Sequence, residues 1–313
     1  MNTKTQKKPK LLTWSDFPEG FTRFFLDPTG VRLETKELSR GVYALLSDKT
    51  NVDNCGFVVG EKGVLVIDAH ISVGMARQIQ EAVRRVTDKP ILYLVNSNYH
   101  GDHTFGNCAF PVETLVVQHR RTADLVPYIE EEKAFVLPCV NHSPKVLEGI
   151  ELRMPDLIFD DYLRLDLGGR EVEVYYFGPA NTPGDTITYV SEAKVAWTGN
   201  MTVGDLIITL ESDAATYLNS LSRFAQTLEI ETLVPSHSYL STGAVIGRYM
   251  HYLSELNNAV MKAVSAGWTL KEAQERIPLK EPFAPAPGDP RTSFYKDLHS
   301  FNVQKTYQAL TAG

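Results

Sequence analysis

The chain has 313 residues, of which 43% are hydrophobic and 22% charged, with a net charge of −7. That is ordinary for a soluble globular protein with ample core material, and the length admits two domains or one large α/β domain with extensions. The acidic balance argues against a polyanion binder, so no nucleic-acid partner is expected. Three widely spaced cysteines, Cys55, Cys108 and Cys139, form neither a disulfide framework nor a zinc ribbon and suit a reducing compartment.

The start of the chain is basic, but Leu11 and Leu12 are followed at once by polar and acidic residues. A signal peptide needs a longer apolar run, and so does a membrane span, so the expectation is a cytoplasmic protein with no membrane contact. Residues 1–36 have no clear period and hold Pro18, Gly20, Pro28 and Gly30. They read as an N-terminal extension packed on the main body through Trp14, Phe21, Phe24 and Phe25.

Strand signals begin at Val42, with short apolar runs at residues 42–46, 55–59 and 64–68; Gly60 to Gly63 makes the last two a hairpin. Met75, Ile79, Val83 and Val86 recur at helical spacing, and Pro90 follows where that helix must end. Further strands are expected at 91–95, 114–117, 171–177, 187–190, 195–198 and 232–235, and helices at 120–135, 214–228, 245–276 and 293–310. Strands interleaved with helices, with polar loops at the strand ends, indicate an α/β fold.

The chemistry-bearing residues sit after strands, in four places: Asp68 to His70, Asn98 to His103, Asn181 to Asp185, and Asn200 with His237. The richest is Asn98-Tyr99-His100-Gly101-Asp102-His103. Imidazole and carboxylate so closely spaced are what a borderline divalent cation requires.

This arrangement resembles the metallo-β-lactamase fold superfamily from about Val42 to the C-terminus. The superfamily's His-x-His-x-Asp-His motif is matched by Asn98-x-His100-x-Asp102-His103. The loop 180–186 matches its second loop with Asn181 in the histidine position. Gly199-Asn200 carries asparagine for the bridging aspartate, and Ser236-His237 matches the late histidine. Val66-Ile67-Asp68-Ala69 resembles the early strand whose aspartate supports the site. The resemblance implies a four-layer αββα sandwich. In that reading 1–36 is the extension, 37–244 the metallo-β-lactamase-like domain, and 245–313 a C-terminal helical extension on the same domain.

The departures matter as much. The first metal position maps to Asn98, His100 and Asn181, and two of those three are carboxamides, which bind zinc poorly beside imidazole. Asn200 has lost the charge that bridges two cations. The second position maps to Asp102, His103 and His237, all intact. One divalent metal is therefore expected, with zinc the default and iron or manganese compatible with two histidines and one carboxylate.

The expected roles follow. Asp102, His103 and His237 hold the metal, and His100 or Asp102 takes a proton from the attacking water. Asn98, Asn181, Asn200 and His70 face the substrate, and Asp68 supports the site. The function implied is a metal-dependent hydrolase of an ester, lactone, thioester or amide of a small molecule. A non-hydrolytic mononuclear metal enzyme and an inactive ligand-binding protein are the alternatives, and a homodimer is compatible with all three.

Overall fold

The computed structural model describes residues 11–312; the basic start read at residues 1–10 lies outside them. Two sheets form the centre of the molecule. The first runs β1 (Leu33–Ser39), β2 (Val42–Ser47), β3 (Cys55–Val59), β4 (Val64–Ile67), β5 (Ile91–Val95), β6 (Leu115–His119), β7 (Leu157–Phe159), in that spatial order. Its first four strands are antiparallel neighbours, and β4 to β7 are parallel. The second sheet holds β8 (Tyr162–Asp166), β9 (Glu171–Tyr175), β10 (Ile187–Val190), β11 (Val195–Trp197) and β12 (Thr232–Val234), in the order β12-β11-β10-β9-β8.

The helices are α1 (Val73–Val86), α2 (Gly101–Thr104), α3 (Arg120–Ala123), α4 (Ile129–Val136), α5 (Ala214–Thr227), α6 (Ala244–Ser265), α7 (Leu270–Arg276) and α8 (Thr292–Thr311). Strand alternation sorts the core into layers. Leu65 and Ile67 of β4 pack with Val172 and Val174 of β9 and Trp197 of β11 between the sheets. Val64 and Val66, one residue out of phase, belong with Met75, Ile79 and Val83 of α1. On the far side Ala196 and Leu233 sit in the same core as Leu221 and Phe224 of α5. The result is the αββα sandwich.

Several elements differ from the sequence expectation for identifiable reasons. Strand β1 starts at Leu33, before the expected boundary at residue 37, and pairs with β2 through Leu33↔Ser47 and on to Ser39↔Val42. The expected helix 120–135 is broken into α3 and α4 by a 3-10 turn over Val126–Tyr128, because Pro127 offers no N–H to a continuous ladder. The expected helix 245–276 divides at Gly267, whose φ of 73° ends the first segment, and Thr269 with Glu272 forms a capping box that starts the second. No strand was expected before Val42, so β1 was not foreseen, and neither were β7 and β8. Strands β7 and β8 are largely exposed, so their apolar periodicity is weak.

The N-terminal segment packs as expected through Trp14, which stacks on Phe135 of α4 at 4.8 Å and donates Nε1–H to its carbonyl at 2.9 Å. Phe17 stacks on Phe301 of α8 at 4.3 Å, whereas Phe25 is 57% exposed. Aromatic stacking thus ties the segment to α4 and α8, the two helices that flank the site described below.

One glycine fixes the motif turn to the rest of the molecule. Gly106 donates its N–H to the His70 carbonyl at 2.9 Å, and a Cβ there would lie 2.0 Å from the Ala69 carbonyl oxygen. Gly106→Ala is expected to lower stability by about 1–3 kcal/mol through overpacking. Urea unfolding checks this, and a change within about 0.5 kcal/mol would show that the turn has slack.

Candidate functional site

The turn after β5 is built by its own side chains. Asn98 Oδ1 accepts from the His100 N–H at 2.9 Å, and the Asn96 carboxamide donates to the His103 carbonyl at 2.9 Å. These bonds wind residues 101–104 into α2 and aim Asp102 and His103 at the end of β4. There Asp68, held at a φ of 61°, accepts from the Ser97 N–H at 2.7 Å, the Ser97 hydroxyl at 2.8 Å and His103 Nδ1 at 3.0 Å. A left-handed non-glycine residue at this point is strain retained by its surroundings. The carboxylate–imidazole bond fixes the His103 ring and leaves Nε2 without a partner.

His103 Nε2 stands 3.9 Å from Asp102 Oδ1 and 3.9 Å from Asp53 Oδ1, and His237 Nε2 stands 3.7 Å from Asp102 Oδ2 and 3.4 Å from Asp53 Oδ1. Donor atoms of Asp53, Asp102 and His237 all lie within 4.8 Å of one another. Asp53 was not anticipated from sequence. It precedes β3 in the loop 48–54, is 1% exposed, and neither carboxylate oxygen has a hydrogen-bond partner.

The electrostatics call for a cation. Burial opposes a charge on His103, but Asp68 and Asp102 outweigh it and lift its pKa to about 10, so a proton sits where no metal does. Burial pushes the His237 pKa down to about 4, which leaves it neutral. Burial also works against the Asp102 charge, but His103, His237 and His100 bring its pKa below the ordinary value. A divalent metal therefore fits this donor set: Asp53, Asp102 and His237 offer mutually close ligand atoms, and the unpartnered His103 Nε2 stands 3.9 Å from each of the two carboxylates.

The other expected residues fall in different places. His100 is clamped, with Nδ1 3.0 Å from Glu132 and Nε2 3.0 Å from Glu211. Burial opposes its charge, yet the two glutamates hold its pKa well above the ordinary histidine value. An imidazolium with both nitrogens engaged has no lone pair for a water proton, which argues against general-base duty. His70 does not reach the pocket: it is fully buried, bonds the Asp53 carbonyl through Nε2 at 3.1 Å, and accepts the Ile71 N–H on Nδ1.

Asn98 is buried beneath the turn, with its amide nitrogen unpartnered. Asn181 donates to the Thr209 carbonyl at 3.0 Å and keeps Oδ1 unpaired, in a turn that Asp185 closes by accepting the Thr182 N–H. Asn200 accepts from the Ser236 hydroxyl, which leaves its amide N–H groups for the pocket. Glu132 and Glu211 were also missed. Glu132 lies in the run Glu130-Glu131-Glu132, which reads as a solvated helix face, yet it is 4% exposed.

A cavity of about 340 Å³ opens over Asp102, His237, His100, Asn181 and Asn200. Its walls are apolar: Leu12, Phe24 and Leu26 from the N-terminal segment, Phe135 and Val136 from α4, and Phe294 and Leu298 from α8. The larger depressions under Trp268 and beside Arg32 hold none of the metal-site residues.

The sequence profile of the metallo-beta-lactamase superfamily matches residues 50–237. The linear primary-alkylsulfatase of Pseudomonas sp. (strain ATCC 19151) is 20% identical over 257 residues, which are 70% of this chain and 48% of that protein. The stereoselective inverting sec-alkylsulfatase Pisa1 from Pseudomonas sp. superposes with a TM-score of 0.65 at 16% identity, over 89% of this chain and 50% of that one. The metallo-beta-lactamase FIM-1 from Pseudomonas aeruginosa, in its mono-zinc form, gives 0.57 at 17% identity over 72% and 96%. The chain thus spans about half the length of the alkylsulfatases it matches. With the profile covering more than half of the sequence and the αββα sandwich in place, the chain belongs to the metallo-beta-lactamase superfamily.

Proposed function

We propose that the protein is a hydrolase of a small molecule that works with one divalent metal, zinc by default, at Asp102, His103 and His237. The observation that supports this most is the buried, unpartnered His103 Nε2 3.9 Å from Asp102, whose side chain lines a largely apolar cavity. A cation held there would polarise the scissile group and acidify a water. Asp102, whose charge the neighbouring imidazoles favour, is the remaining proton acceptor of the expected pair. Asn181 Oδ1 and the Asn200 amide line the side where a first metal would have sat, and give the substrate neutral hydrogen-bonding partners. The aromatic walls exclude water and take the apolar part of the substrate.

The bonds in range are those of esters, lactones, thioesters and amides, and the alkylsulfatases among the relatives add sulfate esters. The test is a panel of such substrates with apolar chains, run on protein of measured metal content. Chelation should lower turnover at least about 100-fold and add-back of zinc, iron or manganese should restore it. No turnover on any member of the panel by metal-replete protein would overturn the reading.

A further inference from the structure

A buried carboxylate with no partner is expensive, because nothing replaces the water it lost. Asp53 is such a group: 1% exposed, both oxygens unpaired, and not needed by His103, whose Nδ1 already has Asp68. Its Oδ1 instead faces the nitrogens of two histidines, at 3.4 Å from His237 and 3.9 Å from His103. Those separations are too long for hydrogen bonds. They approach the spacing of donors sharing one cation, since ligands bound at about 2.1 Å stand roughly 3–3.5 Å apart.

The loop that carries Asp53 is fastened on both sides. The Asn54 carboxamide donates to the Pro235 carbonyl at 3.0 Å and to the Ser238 carbonyl at 2.7 Å, and the Ser238 N–H donates to the Thr50 carbonyl at 2.8 Å. The His237 loop and the Asp53 loop are therefore one fastened unit. On the opposite side His70 Nε2 holds the Asp53 carbonyl at 3.1 Å. Such support is what keeps a ligand in place without the cation's help.

We propose that Asp53 is a fourth protein ligand of the metal, so that the cation is held by two aspartates and two histidines. This rests on the mononuclear reading above and deepens it. Two carboxylates would neutralise a dication completely. Asp102, His237 and Asn200 line the cavity whereas Asp53 and His103 do not, so a substrate would reach a cation held by these residues from the side of Asp102 and His237. The role given to His70 changes with it, from a group at the substrate to one that positions the Asp53 backbone.

The test is Asp53→Asn, close to isosteric, beside wild type and His237→Ala, with zinc affinity read by chelator competition and melting temperature read with and without zinc. Asp53→Asn is expected to weaken zinc at least about 100-fold and to shrink the zinc-induced rise in melting temperature. The metal-free variant should melt no lower than metal-free wild type, because neither Asp53 oxygen has a hydrogen bond for the substitution to remove. A purely structural aspartate predicts the reverse: a lower metal-free melting temperature and an intact zinc response. That result, or a zinc affinity within about threefold of wild type, overturns the proposal while leaving the mononuclear site standing if His237→Ala loses zinc. Wild type that binds no zinc, iron or manganese overturns both. Asp53→Ala gives a second reading should the amide variant fail to accumulate.

Discussion

Purified His103→Ala is expected to hold below about 0.1 equivalent of metal where wild type holds about one, and to lose at least about 10³-fold in kcat/KM. The expectation follows from how the ring is held. His103 has no exposed surface, and its Nδ1 is fixed by Asp68 at 3.0 Å, so Nε2 has a single direction in which to act. That direction contains Asp102 and Asp53, each at 3.9 Å. Removing the ring deletes one of the two imidazoles and leaves Asp68 with only its Ser97 bonds. The α2 turn itself should survive, because the Asn96 side chain bonds the backbone carbonyl of residue 103 rather than its ring. Loss of metal with retained fold is therefore the expected combination, read by elemental analysis and circular dichroism on one preparation. A variant that keeps about one equivalent of metal and turns over within tenfold of wild type would remove His103 from the site.

Asp102, His103 and His237 were grouped from the sequence because they fall at loop ends whose order along the chain is distinctive; in the fold, donor atoms of Asp102 and His237 lie within 4.8 Å of each other and His103 Nε2 stands 3.9 Å from Asp102. Asp102 and His103 are adjacent, and His237 follows the last strand by a fixed short step. Asp53 lacks such a mark. It sits in the polar loop between two antiparallel strands, and only the pairing of that loop with residues 235–238 brings it to the metal position. Glu132 was hidden for the opposite reason, since three consecutive glutamates suggest a solvated face. Trp14 stacks on Phe135 and Glu132 accepts from the Gly101 N–H at 3.0 Å, which presses α4 onto the motif turn and buries the charge. His70 was misplaced by proximity along the chain. Its φ of 69° turns the ring inward, to the Asp53 carbonyl, and no residue pattern announces a backbone torsion. The sandwich itself was legible because the strands that form its centre are buried on both faces, whereas the partly exposed β7 and β8 have too little alternation to detect.

The second large effect concerns the position that maps to a first metal, where this chain has Asn98, His100 and Asn181. Restoring a histidine at position 181 and an aspartate at position 200 supplies two of the groups that position needs, and His100 is already there. The double variant Asn181→His, Asn200→Asp is nonetheless expected to bind only about one metal per chain. The reason is the difference between His100 and His103. Each ring has a carboxylate on Nδ1, Glu132 at 3.0 Å for the first and Asp68 at 3.0 Å for the second. On His103 the other nitrogen is free, whereas on His100 it is capped by Glu211 at 3.0 Å. A ring bonded to carboxylates through both nitrogens keeps both protons and has no lone pair to offer a cation. Glu211 is also tied to position 181 through the main chain, donating its backbone N–H to the Asn181 carbonyl at 2.9 Å. Adding Glu211→Ala should uncap Nε2 while Glu132 continues to orient Nδ1, which converts His100 to the arrangement His103 already has. The triple variant is then expected to approach about two metals per chain, with the rise from one to two appearing only when Glu211 is removed. Elemental analysis of the wild type, the double and the triple variants decides it. Two equivalents in the double variant would show that the clamp yields to a metal, and one equivalent in the triple variant would show that Glu211 is not what keeps the first position empty.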